Sequence, residues 1–228
     1  MIMDNPSKLP THVTLIMDGN GRWARQRGKE RIEGHFEGVE SVRSVLETSV
    51  DLGIKYVSVF AFSEENWNRS EAEVNGLMSL MLKAMKKELP TFMKNGVRFR
   101  VIGNRARLSD NLKASIDEME GLTAANPGVT FIVFMSYSGK WDLQQAAERM
   151  VAAGGGRIED FLATAGIPDP DLMIRTSGER RISNYMLWQL AYTEFVFTDT
   201  LWPDFRKQEY LAALEEYASR DRRFGKVK

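Results

Sequence analysis

The feature that most constrains this chain is its alternation of strand-length apolar runs with helical patterns. Apolar runs occupy residues 13–17, 56–62, 97–102, 129–135, 172–175 and 194–197. Between and after them, residues 38–52, 71–94, 108–124, 141–152 and 208–220 carry apolar side chains at helical spacing. Val39, Val42, Leu46 and Val50 mark one helix face, with Gly53 placed to close that helix. Ser70 followed by Glu73 starts the long second helix, and Asn95-Gly96 ends it. Strands separated by helices imply a mostly parallel sheet covered on both faces. At 228 residues, one α/β domain around a central six-stranded sheet is the expectation.

In such sheets ligands sit beyond the carboxyl ends of the strands. That rule gathers the polar residues at one edge. Asp18 follows the first strand; Ser63, Glu64, Asn66, Trp67 and Arg69 follow the second. Asn104 and Arg105 follow the third, Tyr137 and Ser138 the fourth, and residues 175–183 the fifth. The segment 13–23 is the most specific part. An apolar run stops at Asp18, and Gly19, Asn20, Gly21 and Arg22 follow before a helix begins. A carboxylate, close-approach glycines, a helix start and a cation suit a diphosphate with its metal ion. The spacing matches neither the Walker A loop nor the dinucleotide fingerprint.

Composition removes several alternatives. Lys+Arg and Asp+Glu both number 31, so the basic excess of a nucleic-acid binder is missing. The basic residues nonetheless cluster at 22–31, 98–107, 175–181 and 220–223, which would make a local anion site where those clusters meet. With no cysteine and only His12 and His35, thiolate chemistry and a multi-histidine zinc site are excluded. No apolar run reaches the ~18–20 residues of a spanning helix, and residues 1–10 lack a signal-peptide core. A soluble, cytoplasmic protein is expected, with residues 1–11 as a flexible start.

Six separated motifs then resemble one family. They are Asp18-Gly19-Asn20-Gly21-Arg22-Trp23, Gly34-His35, Ser63-Glu64-Glu65-Asn66-Trp67-Asn68-Arg69, Asp171-Leu172-Met173-Ile174-Arg175-Thr176-Ser177-Gly178-Glu179, Arg181-Ile182-Ser183-Asn184 and Leu201-Trp202-Pro203-Asp204-Phe205. Their order is similar to that of the cis-prenyltransferases, and within them the bacterial undecaprenyl diphosphate synthases. The resemblance runs from about His12 to Gly225. It implies Mg2+-dependent condensation of isopentenyl diphosphate onto an allylic diphosphate such as farnesyl diphosphate. It further implies a homodimer, an apolar product tunnel between the sheet and two helices, and peripheral contact with the inner face of the membrane for product release.

The resemblance also assigns roles. Asp18 and Asn66 are the expected catalytic residues. Gly19, Asn20, Gly21, Arg22, Trp23, Arg31 and His35 would bind the allylic diphosphate, and Ser63, Glu64, Trp67 and Arg69 would complete the loop over it. Arg175, Arg181 and Ser183 resemble the isopentenyl diphosphate site, with Glu179 orienting the arginines. Asp18 and Glu194 would hold the metal. Arg223-Phe224-Gly225 resembles a C-terminal motif that supports the site across the dimer. Glu73 either orders the loop or completes the capping box with Ser70. Leu77, Leu80, Met81 and Met85 line the tunnel or simply pack the core.

The chain departs from the family where Ser136-Tyr137-Ser138-Gly139-Lys140 stands for the common Asn-Tyr-Gly-Gly-Arg. Phe99, Phe131, Phe134 and Met135 leave product length open. A short-chain product, or a non-catalytic partner subunit, are the alternatives to a long-chain synthase. A trans-type synthase is disfavoured because no Asp-Asp-x-x-Asp motif occurs.

Overall fold

The computed structural model describes residues 8–221. Six strands, β1 (His12–Ile16), β2 (Tyr56–Ser63), β3 (Arg98–Ile102), β4 (Thr130–Tyr137), β5 (Leu172–Arg175) and β6 (Glu194–Phe197), form one sheet. The order is β3-β4-β2-β1-β5-β6, and every pairing is parallel. The helices are α1 (Asn20–Gln26), α2 (Arg31–Leu52), α3 (Glu71–Lys94), α4 (Asp110–Thr123), α5 (Gly139–Ala152) and α6 (Lys207–Ser219).

The sheet's two faces differ. One carries Leu15, Val59, Phe99, Phe131, Val133 and Met135 and is covered by α2, α3, α4 and α6. The other carries Ile16, Ile132, Phe134 and Met173 and is covered by Trp141 of α5 and the segment holding Tyr185, Met186 and Leu190. Strand alternation decides the assignment, since successive side chains point to opposite faces. Phe134 therefore lies on the opposite face from Phe131 and packs edge-on against Tyr137 and Tyr185.

Helix α2 begins seven residues earlier than its apolar pattern suggested. Gly34 and Gly38 obscured it, because glycine reads as a breaker. Here both serve close packing instead. A Cβ at Gly34 would sit 2.1 Å from the Asn20 carbonyl oxygen, and one at Gly38 would meet Trp202 at 2.8 Å. Helix α1 can thus lie directly on α2, which fixes residues 18–22 above the end of β1. Residues 9–11, expected within a flexible start, are held: Leu9 packs on the core, and the Thr11 N–H donates to Asp171 at 2.7 Å.

Candidate active site

Asp18 lies two residues past β1 and is held from three sides. Its backbone N–H donates to Thr176 Oγ1 at 3.0 Å. One carboxylate oxygen accepts from the Gly19 N–H at 2.8 Å. The other accepts from Arg175 Nη2 at 2.9 Å. Arg175 is almost fully buried, with a side-chain exposure of 4%, whereas Asp18 keeps 36%. The carboxylate is therefore anchored and still open to a ligand. Gly19 takes a φ of 104°, and a Cβ there would meet Ser177 at 2.9 Å; only glycine fits both the conformation and the space.

A polar basin of about 480 Å3 opens beside Asp18. Gly19, Asn20, Gly21, Arg22, Arg31, His35 and Arg69 line it, together with Arg25 and Lys29. Arg22 donates to the Ser177 carbonyl at 2.9 Å and pairs with Glu179 at 3.2 Å. Glu179 also takes Arg181 at 2.5 Å, and that hydrogen bond, followed by the one from Arg22, holds its carboxyl below the usual range. Of the two purposes left open by the sequence, the Glu73 side chain serves the first, tying the loop to α2, and does not close the capping box with Ser70. The Glu73 backbone N–H donates to the Ser70 hydroxyl, while its carboxylate bridges Arg31 at 3.0 Å and Arg69 at 2.8 Å.

His35 is half-buried at the basin floor. Desolvation first, then the charges of Arg69 and Arg31, lower its pKa to about 4 against the pull of Glu73. The ring is neutral at pH 7, and its Nε2 has no hydrogen-bond partner among the described residues. The same holds for Asn20 Oδ1, Arg175 Nε and Ser177 Oγ. Buried polar atoms are normally paired, so four open ones near a single strand end mark a place prepared for a polar ligand.

Past β5, Arg175 Nη1 donates to Ser183 Oγ at 2.8 Å and to the Arg181 carbonyl. Ser177, Ser183 and Asn184 all have positive φ, backbone strain of the kind that concentrates at ligand sites. The second-strand loop is joined to this segment through Asn184, whose amide donates to Glu65 at 2.7 Å. Ser63 and Asn66 cap one another: the Ser63 N–H donates to Asn66 Oδ1 at 3.1 Å, and the Asn66 N–H to Ser63 Oγ at 3.2 Å. Neither lines the basin.

Directly below the basin is an apolar cavity between the sheet, α2 and α3, with a volume of about 150 Å3. Met17, Asn20 and His35 line both spaces. Leu77, Leu80, Met81 and Met85 line the cavity, as do Phe99, Phe131 and Met135; Phe134 does not.

Some expected site residues are placed elsewhere. Trp23 donates its indole N–H to Asp204 at 2.6 Å and lies under Arg27. Trp67 donates to Ser136 at 2.9 Å and packs on Phe62. Glu64 accepts from Ser136 at 2.6 Å and faces Arg107. These three brace the walls. Arg105 pairs with Asp117 and Glu120, so the basic cluster at 98–107 stays out of the basin. Glu194 is the expected site residue that the chain places farthest from Asp18 along the strands. It opens β6 at the level of Leu172, and Leu172 pairs with Val13. That is the amino end of the sheet, about 10 Å short of where β1 even ends, and its carboxylate pairs with Arg220 at 2.8 Å. It does not meet Asp18 within the chain. The Arg223-Phe224-Gly225 motif lies outside the described residues. Arg25 and Lys29, part of the basic cluster at 22–31, also line the basin.

Among the described residues no cluster of three or more metal-ligating side chains occurs. The donor set still fits Mg2+, which is commonly held by one or two carboxylates plus substrate phosphates; Asp18 would be that carboxylate. No helix of the described residues is long and apolar enough to cross a membrane.

Comparison with known proteins agrees with this geometry. Isoprenyl transferase of Chlorobaculum tepidum is 47% identical over 96% of this chain and 87% of its own. The farnesyl-diphosphate-specific ditrans,polycis-undecaprenyl-diphosphate synthase of Legionella pneumophila is 45% identical over 96% of this chain and 97% of its own. The crystal structure of lavandulyl diphosphate synthase from Lavandula x intermedia, with dimethylallyl diphosphate, superposes with a TM-score of 0.91 at 38% identity, covering 96% of this chain and 100% of that one. A probable undecaprenyl diphosphate synthase from Campylobacter jejuni gives 0.82 at 30% identity over 95% and 99%. Residues 16–225 match the prenyltransferase family described as "Putative undecaprenyl diphosphate synthase", and the chain belongs to that cis-prenyltransferase family.

Proposed function

We propose that this chain condenses isopentenyl diphosphate with an allylic diphosphate, farnesyl diphosphate, into a long-chain cis-polyprenyl diphosphate of the undecaprenyl type. One observation carries the reading: the cationic basin and the apolar cavity share Met17, Asn20 and His35 as a common wall. That junction suits an amphiphile with a diphosphate head and a hydrocarbon tail. Asp18, Arg22, Arg31, Arg69 and the amides after Gly19 hold the allylic diphosphate, with Asn20 and His35 beneath it. Arg175, Arg181 and Ser183 hold isopentenyl diphosphate.

The allylic C–O bond breaks and its electron pair leaves with the diphosphate. The homoallylic double bond attacks the allylic carbon, and a proton then leaves the adjacent carbon of the incoming unit to close the new double bond. Guanidinium forks and N–H donors stabilise the departing charge, each typically by ~2.7–4 kcal/mol. Asp18 would hold Mg2+, which would supply further charge neutralisation on the diphosphates. Asn66, fixed by its reciprocal cap with Ser63, orients the homoallylic substrate. An amide is a poor base, so diphosphate or water takes the proton. Each five-carbon unit drawn into the cavity gains roughly 3–4 kcal/mol, at ~0.8 kcal/mol per CH2, which favours processive addition.

A homodimer fits the exposed aromatics at the β6 edge, where Trp188, Tyr192 and Phe197 keep 42%, 75% and 36% of their surface. A product this apolar calls for transfer to a bilayer, hence peripheral membrane contact. A short-chain product is favoured by a different observation: Phe92, Phe99 and Phe131 crowd the far end of the cavity. Incubating the purified chain with farnesyl diphosphate, labelled isopentenyl diphosphate and Mg2+ decides between them. Products near C55 support the first reading, C15–C20 products the second, and no incorporation contradicts both.

A further inference from the structure

The apolar cavity carries a charged pair in its wall, with Glu47 in the same lining. Arg43 on α2 and Glu88 on α3 both line it. The Arg43 Nε–H donates to Glu88 Oε2 at 3.2 Å, and Nη2 donates to Oε1, a two-pronged pair. Glu88 is only 8% exposed. Glu40 takes the remaining face of Arg43 and also pairs with Lys87 at 3.4 Å; Glu47 adds its charge nearby. The hydrogen bond donated to Glu88 leads the causes that raise the arginine's pKa.

A buried ion pair is weak evidence for stability, because well-packed apolar residues usually serve a core as well or better. Its position suggests another use. Helices α2 and α3 run side by side, and ion pairs join them at two levels. The first, Arg31 with Glu73, stands at the basin. The second, Arg43 with Glu88, stands 12 residues further along α2 and 15 further along α3, roughly 18–22 Å deeper at 1.5 Å per residue. Between these levels the walls are Val39, Val42, Leu77, Leu80, Met81 and Ala84. None is fully buried, because they face a hollow.

That hollow, about 150 Å3, is the size of a cavity that holds one benzene ring. A growing hydrocarbon chain outgrows it within a few units, so the cavity must widen. The sheet side is a hydrogen-bonded ladder; the adjustable side is the α2–α3 seam. Resting on the prenyl-transfer reading above, we propose that the Arg43–Glu88 pair is a clasp across this seam and a determinant of product length. It limits how far α3 moves from α2, and it presents charge to hydrocarbon at the depth where the chain must pass. Arg43 and Glu88 are positioning residues; neither lines the diphosphate basin.

The test compares the wild-type chain with Arg43→Met/Glu88→Met, which removes both charges at similar volume, and with Glu88→Gln, which keeps one hydrogen bond. Each receives farnesyl diphosphate and labelled isopentenyl diphosphate. Product lengths are read by chromatography, the first condensation by single turnover, and the fold by circular dichroism. The double variant is expected to shift the main product up by one or more five-carbon units, with the first condensation within about threefold of wild type. Glu88→Gln should shift it the same way by less. A wild-type length distribution in Glu88→Gln and in the double variant, or in Glu88→Gln alone where the double variant does not fold, overturns the clasp. No incorporation by the wild type overturns the functional reading and this inference with it.

Discussion

The chain's two histidines make a controlled comparison. His12 is buried and His35 half-buried, and desolvation leads the causes that lower each pKa to about 4. Their surroundings differ in charge, with Arg69 and Arg31 pressing on His35 and Asp171 facing His12, and above all in hydrogen bonding. His12, inside β1, has both ring nitrogens engaged: Nδ1–H donates to the Pro168 carbonyl at 2.7 Å, and Nε2 meets Ser58 Oγ at 2.8 Å. Ser58 passes the chain on to Thr14 and Tyr185. His35, at the basin, leaves Nε2 open among the described residues. The first network is closed and spends its polarity on the fold. The second holds capacity in reserve, beside open atoms of Asn20, Arg175 and Ser177. The difference separates a histidine that builds from one that waits for a ligand, though composition and pKa are the same.

Substitutions can break this contrast, and the largest effect belongs to Arg175. Arg175→Met should lower kcat/KM for isopentenyl diphosphate by about 10²–10³-fold, read by steady-state incorporation. Next comes the closed network. His12→Leu leaves Ser58 and the Pro168 carbonyl short of a partner, so unfolding free energy should fall by ~2–6 kcal/mol at about 1–3 per stranded group. Urea titration measures this, and kcat of the folded protein should stay within a few-fold. For His35→Gln the pattern reverses: KM for the allylic diphosphate rises by about tenfold, the worth of ~1.4 kcal/mol in a hydrogen bond, with an unchanged urea midpoint. A result in which His12 moved kinetics and His35 moved stability would erase the distinction.

The smallest effect is in pH. Both folded histidines titrate near 4, below the ordinary value of 6.5, so the unfolded chain binds more protons between those limits. Stability is therefore full above about pH 6.5 and declines as pH falls toward 4. Thermal midpoints across that window should drop in the wild type and drop less in His12→Leu.

Much of this was legible from residues alone, for physical reasons. Strand-length apolar runs placed all six strands, because a sheet buried on both faces leaves its strands apolar. Asp18 and Arg175 were legible because a carboxylate or guanidinium directly after such a run falls at the ligand-binding edge. The start of α2 was hidden, since Gly34 and Gly38 serve helix contact that no local pattern records. Trp23 and Trp67 looked like ligand contacts, and their indole N–H groups turned out to be taken by Asp204 and Ser136, partners 181 and 69 residues away. Glu194 is not brought to Asp18 within the chain, for a reason the strand rule contains. It precedes its strand, and in a parallel sheet that puts it at the opposite edge from Asp18.

The central claim is that Asp18 and the cations around it hold a diphosphate at the mouth of an apolar cavity. Asp18→Ala tests it most directly, by initial rates of isopentenyl diphosphate incorporation at saturating Mg2+ and saturating farnesyl diphosphate. The account predicts a fall of at least about 100-fold, with far-ultraviolet circular dichroism unchanged. A rate near wild type would contradict it.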